Sequence, residues 1–236
     1  MATVAEHGSG WRPGQAMVAL ADRAPRAAAP ADAGRHVTVV YTDIVGSTGL
    51  AARAGASYPS LLVRHRELIA GAVARRGGSY LSHAGDGTMA VFDRPDDALG
   101  AAVDAQRALG AEAWPAGLGI RVRMGVHAGE VYDVDGEPVG LAINQGARIM
   151  AVAHAGQVVV TDAVASAVAG AGEAVARDGG PDLVLADAGH HDLRDHATPV
   201  RLRQVVADGL TVVLPGPRVA GEQAPCLSAT ALGEAC

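Results

Sequence analysis

Val37-Thr38-Val39-Val40-Tyr41-Thr42-Asp43-Ile44-Val45-Gly46-Ser47-Thr48 is the stretch on which the reading of this chain turns. Its first four residues are β-branched and predict a buried strand. Asp43 stands where that hydrophobic run ends, and Gly46, Ser47 and Thr48 follow before an Ala-rich helical pattern. Small residues at such a junction let backbone N–H groups face an anion, and a carboxylate beside them can hold a cation. The arrangement suits a metal ion that carries a polyphosphate. An Asp closing a strand also serves as a turn former or helix cap, and the stretch alone leaves both roles open.

The chain has 236 residues, 49% hydrophobic and 19% charged, enough to bury one sizeable core. Its formal net charge of −6 gives no electrostatic footing for nonspecific nucleic-acid binding. Aromatic residues are 3% and no basic-aromatic strand motif occurs, which excludes an RNA-binding sheet of the stacking type. No apolar run approaches the roughly 20 residues of a membrane helix, and Met1 to Gln15 lacks a signal-peptide core. Cys226 and Cys236 make no disulfide framework. A soluble, cytoplasmic protein is the expectation, with no nucleic-acid or membrane partner.

Residues 1–34 and 209–236 are rich in small residues and Pro without a sustained period, and are read as flexible segments flanking a folded region at 35–208. Leu61, Leu62, His65, Leu68, Ile69, Ala72 and Val73 share one helical face that ends at Gly77-Gly78, making His65 a core histidine. Runs 79–83 and 88–92 flank Ala84-Gly85-Asp86-Gly87, a β-hairpin by its punctuation, with Asp86 at the tip. A helix is predicted over 96–109, with Ala98, Ala101, Ala102, Ala105 and Leu109 inward. An alternating strand follows from Ile120, then a helix over 140–153, a strand at 157–160, a helix at 162–168, and strands at 183–185 and 200–206. The fold class is α/β in the sense of an α+β sandwich: a mixed, mostly antiparallel sheet covered by helices on one face. Gly189-His190-His191-Asp192 reads as a turn, and with His196 it lacks the spacing and Cys partners of a zinc site.

Asn144 and Arg148 stand at i, i+4 on the helix from Gly140 and share a face. Asn can orient a sugar oxygen and Arg can stabilise charge on a phosphoryl group; an ordinary exposed polar face is the alternative. Taken together, four motifs occur in order: Thr42-Asp43-Ile44-Val45-Gly46-Ser47-Thr48, Gly85-Asp86-Gly87, Arg123-Met124-Gly125-Val126-His127-Ala128-Gly129-Glu130, and Asn144-Gln145-Gly146-Ala147-Arg148-Ile149-Met150. In this combination the chain resembles the class III nucleotidyl cyclase catalytic domain, the adenylate and guanylate cyclases, in its actinobacterial type. Asp192-Leu193-Arg194-Asp195 and Thr198-Pro199-Val200-Arg201-Leu202 resemble the closing segment of that family.

The resemblance implies a ferredoxin-like unit working as a head-to-tail homodimer, with sites at the interface. It implies that a nucleoside triphosphate is cyclised to a 3′,5′-cyclic nucleotide and pyrophosphate with two Mg²⁺ or Mn²⁺ ions per site. Asp43 and Asp86 match the metal-binding aspartates, and the Ile44 carbonyl matches a backbone ligand. Asn144 and Arg148 match the transition-state pair lent by the other subunit. Arg194 falls where a basic residue grips the triphosphate, and Val45, Gly46, Ser47 and Thr48 complete the phosphate cradle. Two carboxylates about 4 Å apart repel by roughly 4 kcal/mol at an effective dielectric near 20, so such a pair is sensible around hard dications.

At the base-reading positions the chain departs from the family. Adenine-reading members carry a Lys four residues before the hairpin Asp and an Asp seven before the catalytic Asn, and guanine-specific members a Glu and a small polar residue in those places; here stand Ser82 and Glu137, the reverse of the guanine order. Ser cannot do the work of Lys, whereas Glu keeps an acceptor at longer reach. Three readings follow: an ATP cyclase with other base contacts, expected on family grounds; a pyrimidine cyclase acting on UTP or CTP; or a weakened homologue serving as a regulatory, nucleotide-binding module.

Overall fold

The computed structural model describes residues 34–82, 85–134, 137–168, 174–175, 183–194 and 196–210. The segments read as flexible therefore lie largely outside the described residues, as do Cys226, Cys236, His83 and Asp195. The strand opened by Val37 is longer than its β-branched start. β1 (Arg35–Ile44) runs through Asp43, and every residue from Val37 to Thr42 is buried. A strand so nearly continuous in burial belongs at the centre of a sheet, covered on both faces. β1 pairs antiparallel with β3 (Thr88–Phe92) on one side and with β4 (Val122–Val134) on the other.

The remaining strands are β2 (Ser79–Ser82), β5 (Glu137–Val139), β6 (Val158–Thr161), β7 (Ala174–Val175), β8 (Leu183–His191) and β9 (Val200–Ala207). Their order is β2-β3-β1-β4-β6-β9-β8-β7, with β5 added to β4. Only β4 and β6 pair in parallel among the described residues, so the sheet is mixed and mostly antiparallel, as expected. β2 and β3 form the hairpin whose turn holds Asp86, in the register Ser79↔Val91 to Ser82↔Thr88.

Side-chain alternation divides the core. Val40, Ile44, Ala90, Phe92, Val122, Met124 and Val126 point to one face, against α2 (Tyr58–Arg75) and α3 (Pro95–Ala111), with α5 (Asp162–Val168) alongside. Val37, Val39, Tyr41, Met89 and Val91 point to the other, where they meet α4 (Leu141–Val152). The expectation of helices on one face is therefore corrected: α4 covers the opposite side. Its approach depends on glycine. A Cβ on Gly125 would lie 2.4 Å from the Met150 backbone nitrogen, and one on Gly146 would lie 2.8 Å from both Tyr41 and Val39.

The Ala-rich side of α3 packs inward as predicted, with Ala98, Ala101, Ala102, Ala105 and Leu109 buried. α2 stops at Gly77, where φ is 68°. The Gly77 and Gly78 N–H groups donate to the Ala74 and Val73 carbonyls, a Schellman closure. Gly189-His190-His191 is not a turn. These residues belong to β8, which bulges between Asp187 and His190, with Gly189 at φ 83° and His191 Nε2 donating to the Ala188 carbonyl at 2.7 Å.

Gly125→Ala should lower stability by about 1–3 kcal/mol, because the added methyl meets backbone that cannot rotate away. Urea unfolding checks this, and a midpoint equal to that of the wild type would mean α4 does not sit this close to β4.

Candidate active site

Two chain segments converge at the end of β1. The β1–β3 register ends with Thr42 opposite Thr88, whose hydroxyls hydrogen-bond at 2.6 Å in the buried interior. Continued by one residue, the pairing sets Asp43 across from Gly87, beside Asp86. A Cβ on Gly87 would lie 3.5 Å from the Thr42 carbonyl oxygen, so the hairpin tip rests directly on the end of the strand. Both carboxylates act on the Tyr58 phenol, which is held above its usual range first by burial, then by Asp86 and less by Asp43, with Arg66 opposing.

The two acids have different surroundings. Asp86 Oδ2 is buried with no hydrogen-bond partner among the described residues. A carboxylate oxygen so placed has lost water without replacement, a costly state unless a cation takes it. Arg66 holds the same turn from α2 by donating to the Gly85 carbonyl. Asp43 instead is paired with Arg123, its register neighbour on β4. Nε and Nη2 of Arg123 donate to Asp43 Oδ2 at 2.9 and 2.5 Å, and Nη1 donates to the Ala151 carbonyl at 3.0 Å. The donor set fits a hard dication: two carboxylates on adjoining segments, one with an orphaned oxygen. No group of three or more His, Cys, Asp or Glu side chains suited to a metal exists among the described residues, so protein acids alone would leave coordination positions for other oxygens.

The loop after β1 is shaped by Gly46, which adopts φ 70° and ψ 31° and precedes α1 (Ser47–Ala54). The first N–H groups of a helix have no intrahelical acceptor, and those at Ser47 and Thr48 are of this kind. Val45 differs from the expectation for a cradle residue: its N–H donates to the Arg121 carbonyl at 2.9 Å. Its exposed side chain remains at the loop surface. Ile44 is buried and closes β1 opposite Val122.

Asn144 is exposed and Arg148 half-buried on α4. Arg148 Nη1 donates to the Arg194 carbonyl at 2.8 Å, joining the helix to the closing segment, where Arg194 is exposed. α4 runs antiparallel to β4, with Ala142 over Gly129 and Met150 over Gly125. Its Ala151 end thus lies by Asp43 and Arg123, while Asn144 is seven residues back, about 10 Å at 1.5 Å per residue. Ser82 ends β2 opposite Thr88, whereas Glu137 is exposed at the start of β5 opposite Val134. Arg123, Arg66 and Tyr58 were assigned no role from the sequence. Only the alternation Arg121-Val122-Arg123-Met124 hinted that Arg123 takes one face of β4.

The mixed sheet with its split helices is the fold of cyclase catalytic domains. Residues 30–180 match the family model for the adenylate and guanylate cyclase catalytic domain, and the chain belongs to that family. It is 32% identical over 171 residues to an uncharacterized protein of Mycobacterium tuberculosis, covering 72% of this chain and 55% of that protein. The chain spans between about a quarter and just over half of the length of the curated relatives it matches. Among solved structures it resembles an adenylate/guanylate cyclase/hydrolase from Silicibacter pomeroyi, with TM-score 0.60 and 28% identity over 75% of this chain and 99% of that one. It also shares the fold of a guanylate cyclase domain from Catenaria anguillulae solved with GTP, with TM-score 0.63 and 19% identity over 74% and 98% of the two chains.

His65, fully buried on α2, is felt electrostatically by Arg66 and Asp86. Burial first, then Arg66, lower its pKa from 6.5 to about 4. The unfolded chain takes up this proton first, so the contribution is present above 6.5 and is lost as pH falls toward 4. Urea unfolding of wild type and His65→Leu should differ in pH dependence by about 2 kcal/mol between pH 7 and 5, the wild type losing more. Parallel profiles would mean that His65 is not held neutral.

Proposed function

We propose that the chain is a class III nucleotidyl cyclase, closing a nucleoside triphosphate to its 3′,5′-cyclic monophosphate. The 3′-hydroxyl gives up its proton to solvent, its oxygen forms a bond to the α-phosphorus, the bond from that phosphorus to the α,β-bridging oxygen breaks, and pyrophosphate leaves with the electron pair. The observation that carries this reading is the seating of the hairpin turn, with its buried Asp86 oxygen, on the end of β1 that carries Asp43, beside a helix N-terminus and in a chain of this family.

Asp43, Asp86 and the Ile44 carbonyl would hold two Mg²⁺ or Mn²⁺ ions. Bound there, the ions would supply Lewis acidity to the 3′-hydroxyl and neutralise the triphosphate. The Gly46, Ser47 and Thr48 backbone lies ready to donate to phosphate oxygens, and the Arg194 guanidinium to grip them. Asn144 would orient the ribose and Arg148 would stabilise charge growing on the α-phosphoryl group. A second copy of the chain would lend this pair, making the enzyme a homodimer. What supports that arrangement is the exposure of Asn144 and its offset along α4 from the end that touches Arg123. ATP is the substrate expected on family grounds. Ser82 and Glu137, the two base-reading positions, match neither purine pattern and leave a place for UTP or CTP.

Incubation of the purified chain with Mn²⁺ and each of ATP, GTP, CTP and UTP, with products identified by mass, should give one cyclic nucleotide and pyrophosphate. A silent panel at high protein concentration would favour the regulatory module. Asp86→Asn should abolish turnover, and Arg148→Ala should lower kcat by about 10²–10³. Mixing the two variants should raise activity above that of either alone, since one site of each mixed dimer keeps both residues. A mixture no more active than its components would defeat the shared site.

A further inference from the structure

We propose that Arg123 is a built-in counter-ion that occupies Asp43 while the metal site is empty and is displaced from its Oδ2 when a dication binds. The inference rests on the metal reading given above and adds a competitor to it. Arg123 and Asp43 are 80 residues apart in sequence yet directly opposite in the β1–β4 register, so the backbone fixes the pair. Nε and Nη2 converge on a single oxygen, Oδ2, and two N–H donors use both of its lone-pair directions. A metal ion cannot share that oxygen with both donors. The ion must take Asp43 through its other oxygen beside a guanidinium of like charge, or expel Arg123.

The neighbourhood favours exchange. Asp86 offers a buried oxygen with no hydrogen-bond partner among the described residues, whereas Asp43 is already neutralised. A dication attracted to Asp86 therefore meets a positive charge at the second ligand, which weakens its binding. Arg123 is not left without a partner on release, because Nη1 already donates to the Ala151 carbonyl. The guanidinium can swing on that contact toward the end of α4, the helix that carries Asn144 and Arg148. Metal entry is thereby linked to the last turn of α4. The device neutralises Asp43 until a dication arrives, at the cost of lower metal affinity.

The test is Mn²⁺ affinity of the full chain, read from the electron paramagnetic resonance signal of free Mn²⁺, without nucleotide. Arg123→Gln should bind Mn²⁺ about tenfold more tightly than wild type or better. Arg123→Lys, which keeps the charge but cannot place two donors on Oδ2, should fall between the two. Affinity equal to or weaker than wild type in both variants overturns the proposal while leaving the metal site intact. Absence of saturable binding in wild type, or equal binding in Asp86→Asn, would remove the metal reading and this proposal with it. A second readout needs no change at Arg123: the Arg123 ¹⁵Nε–H resonance of the wild-type chain should move toward that of an unpaired guanidinium on titration with Mg²⁺. A resonance that stays in place under saturating metal overturns the displacement.

Discussion

The structure depends on a central strand held in register from both sides. β1 is paired with β3 through Thr42↔Thr88 and with β4 through Asp43↔Arg123 and Ile44↔Val122. A slip of one residue on either side would turn every side chain of β1 to the wrong face, moving Val39 and Tyr41 out of the α4 layer and Val40 out of the α2–α3 layer. The hydrophobic alternation of β1 thus fixes the placement of polar groups that contribute nothing to the core. Asp43 is brought beside the Asp86 turn because Val37 to Thr42 must be buried in this order.

The second constraint is the closeness of α4 to the sheet. Gly125 and Gly129 on β4 and Gly146 on the helix remove the side chains that would hold the two layers apart. Close packing seats α4 directly on the sheet face. Its Ala151 carbonyl can then accept from the same guanidinium that holds Asp43. Arg148, further back on the helix, is fixed to the Arg194 carbonyl of the closing segment. The helix therefore links both ends of the candidate site through rigid contacts, and glycine is what permits it.

Local signals in the sequence revealed the parts of the fold that local physics decides. Gly85-Asp86-Gly87 between two short apolar runs specified the hairpin, and Asp162–Val168 was readable as a helix to its observed bounds. The resemblance of four ordered motifs supplied the family. Pairings across long separations were not legible. Nothing near Arg123 announces Asp43 as its partner, since the register that joins them is set by the burial of both strands. The side taken by α4 was missed for a similar reason: its glycine contacts have meaning only once β4 lies against it. Gly189 misled because a positive φ marks a bulge inside a strand as readily as a turn, and here the pairing of β8 with β9 resumes at His190.

This division between register-held and peripheral residues bears on how one fold could serve different bases. Asp43 is fixed by the central strand and paired with Arg123, and Asp86 sits in the turn that Arg66 holds through the Gly85 carbonyl. Ser82 and Glu137 lie outside that strand. One ends the outermost strand of the sheet on that side, and the other begins a three-residue strand that pairs only with the extension of β4. On the proposed reading, a change at the exposed Glu137 would leave the core and the acid pair untouched, so base preference could drift apart from stability. An unusual Ser and Glu there, beside intact acidic, Asn and Arg positions, is what a retuned base pocket would leave in the sequence. Decay of the whole site would have no reason to stop at the periphery.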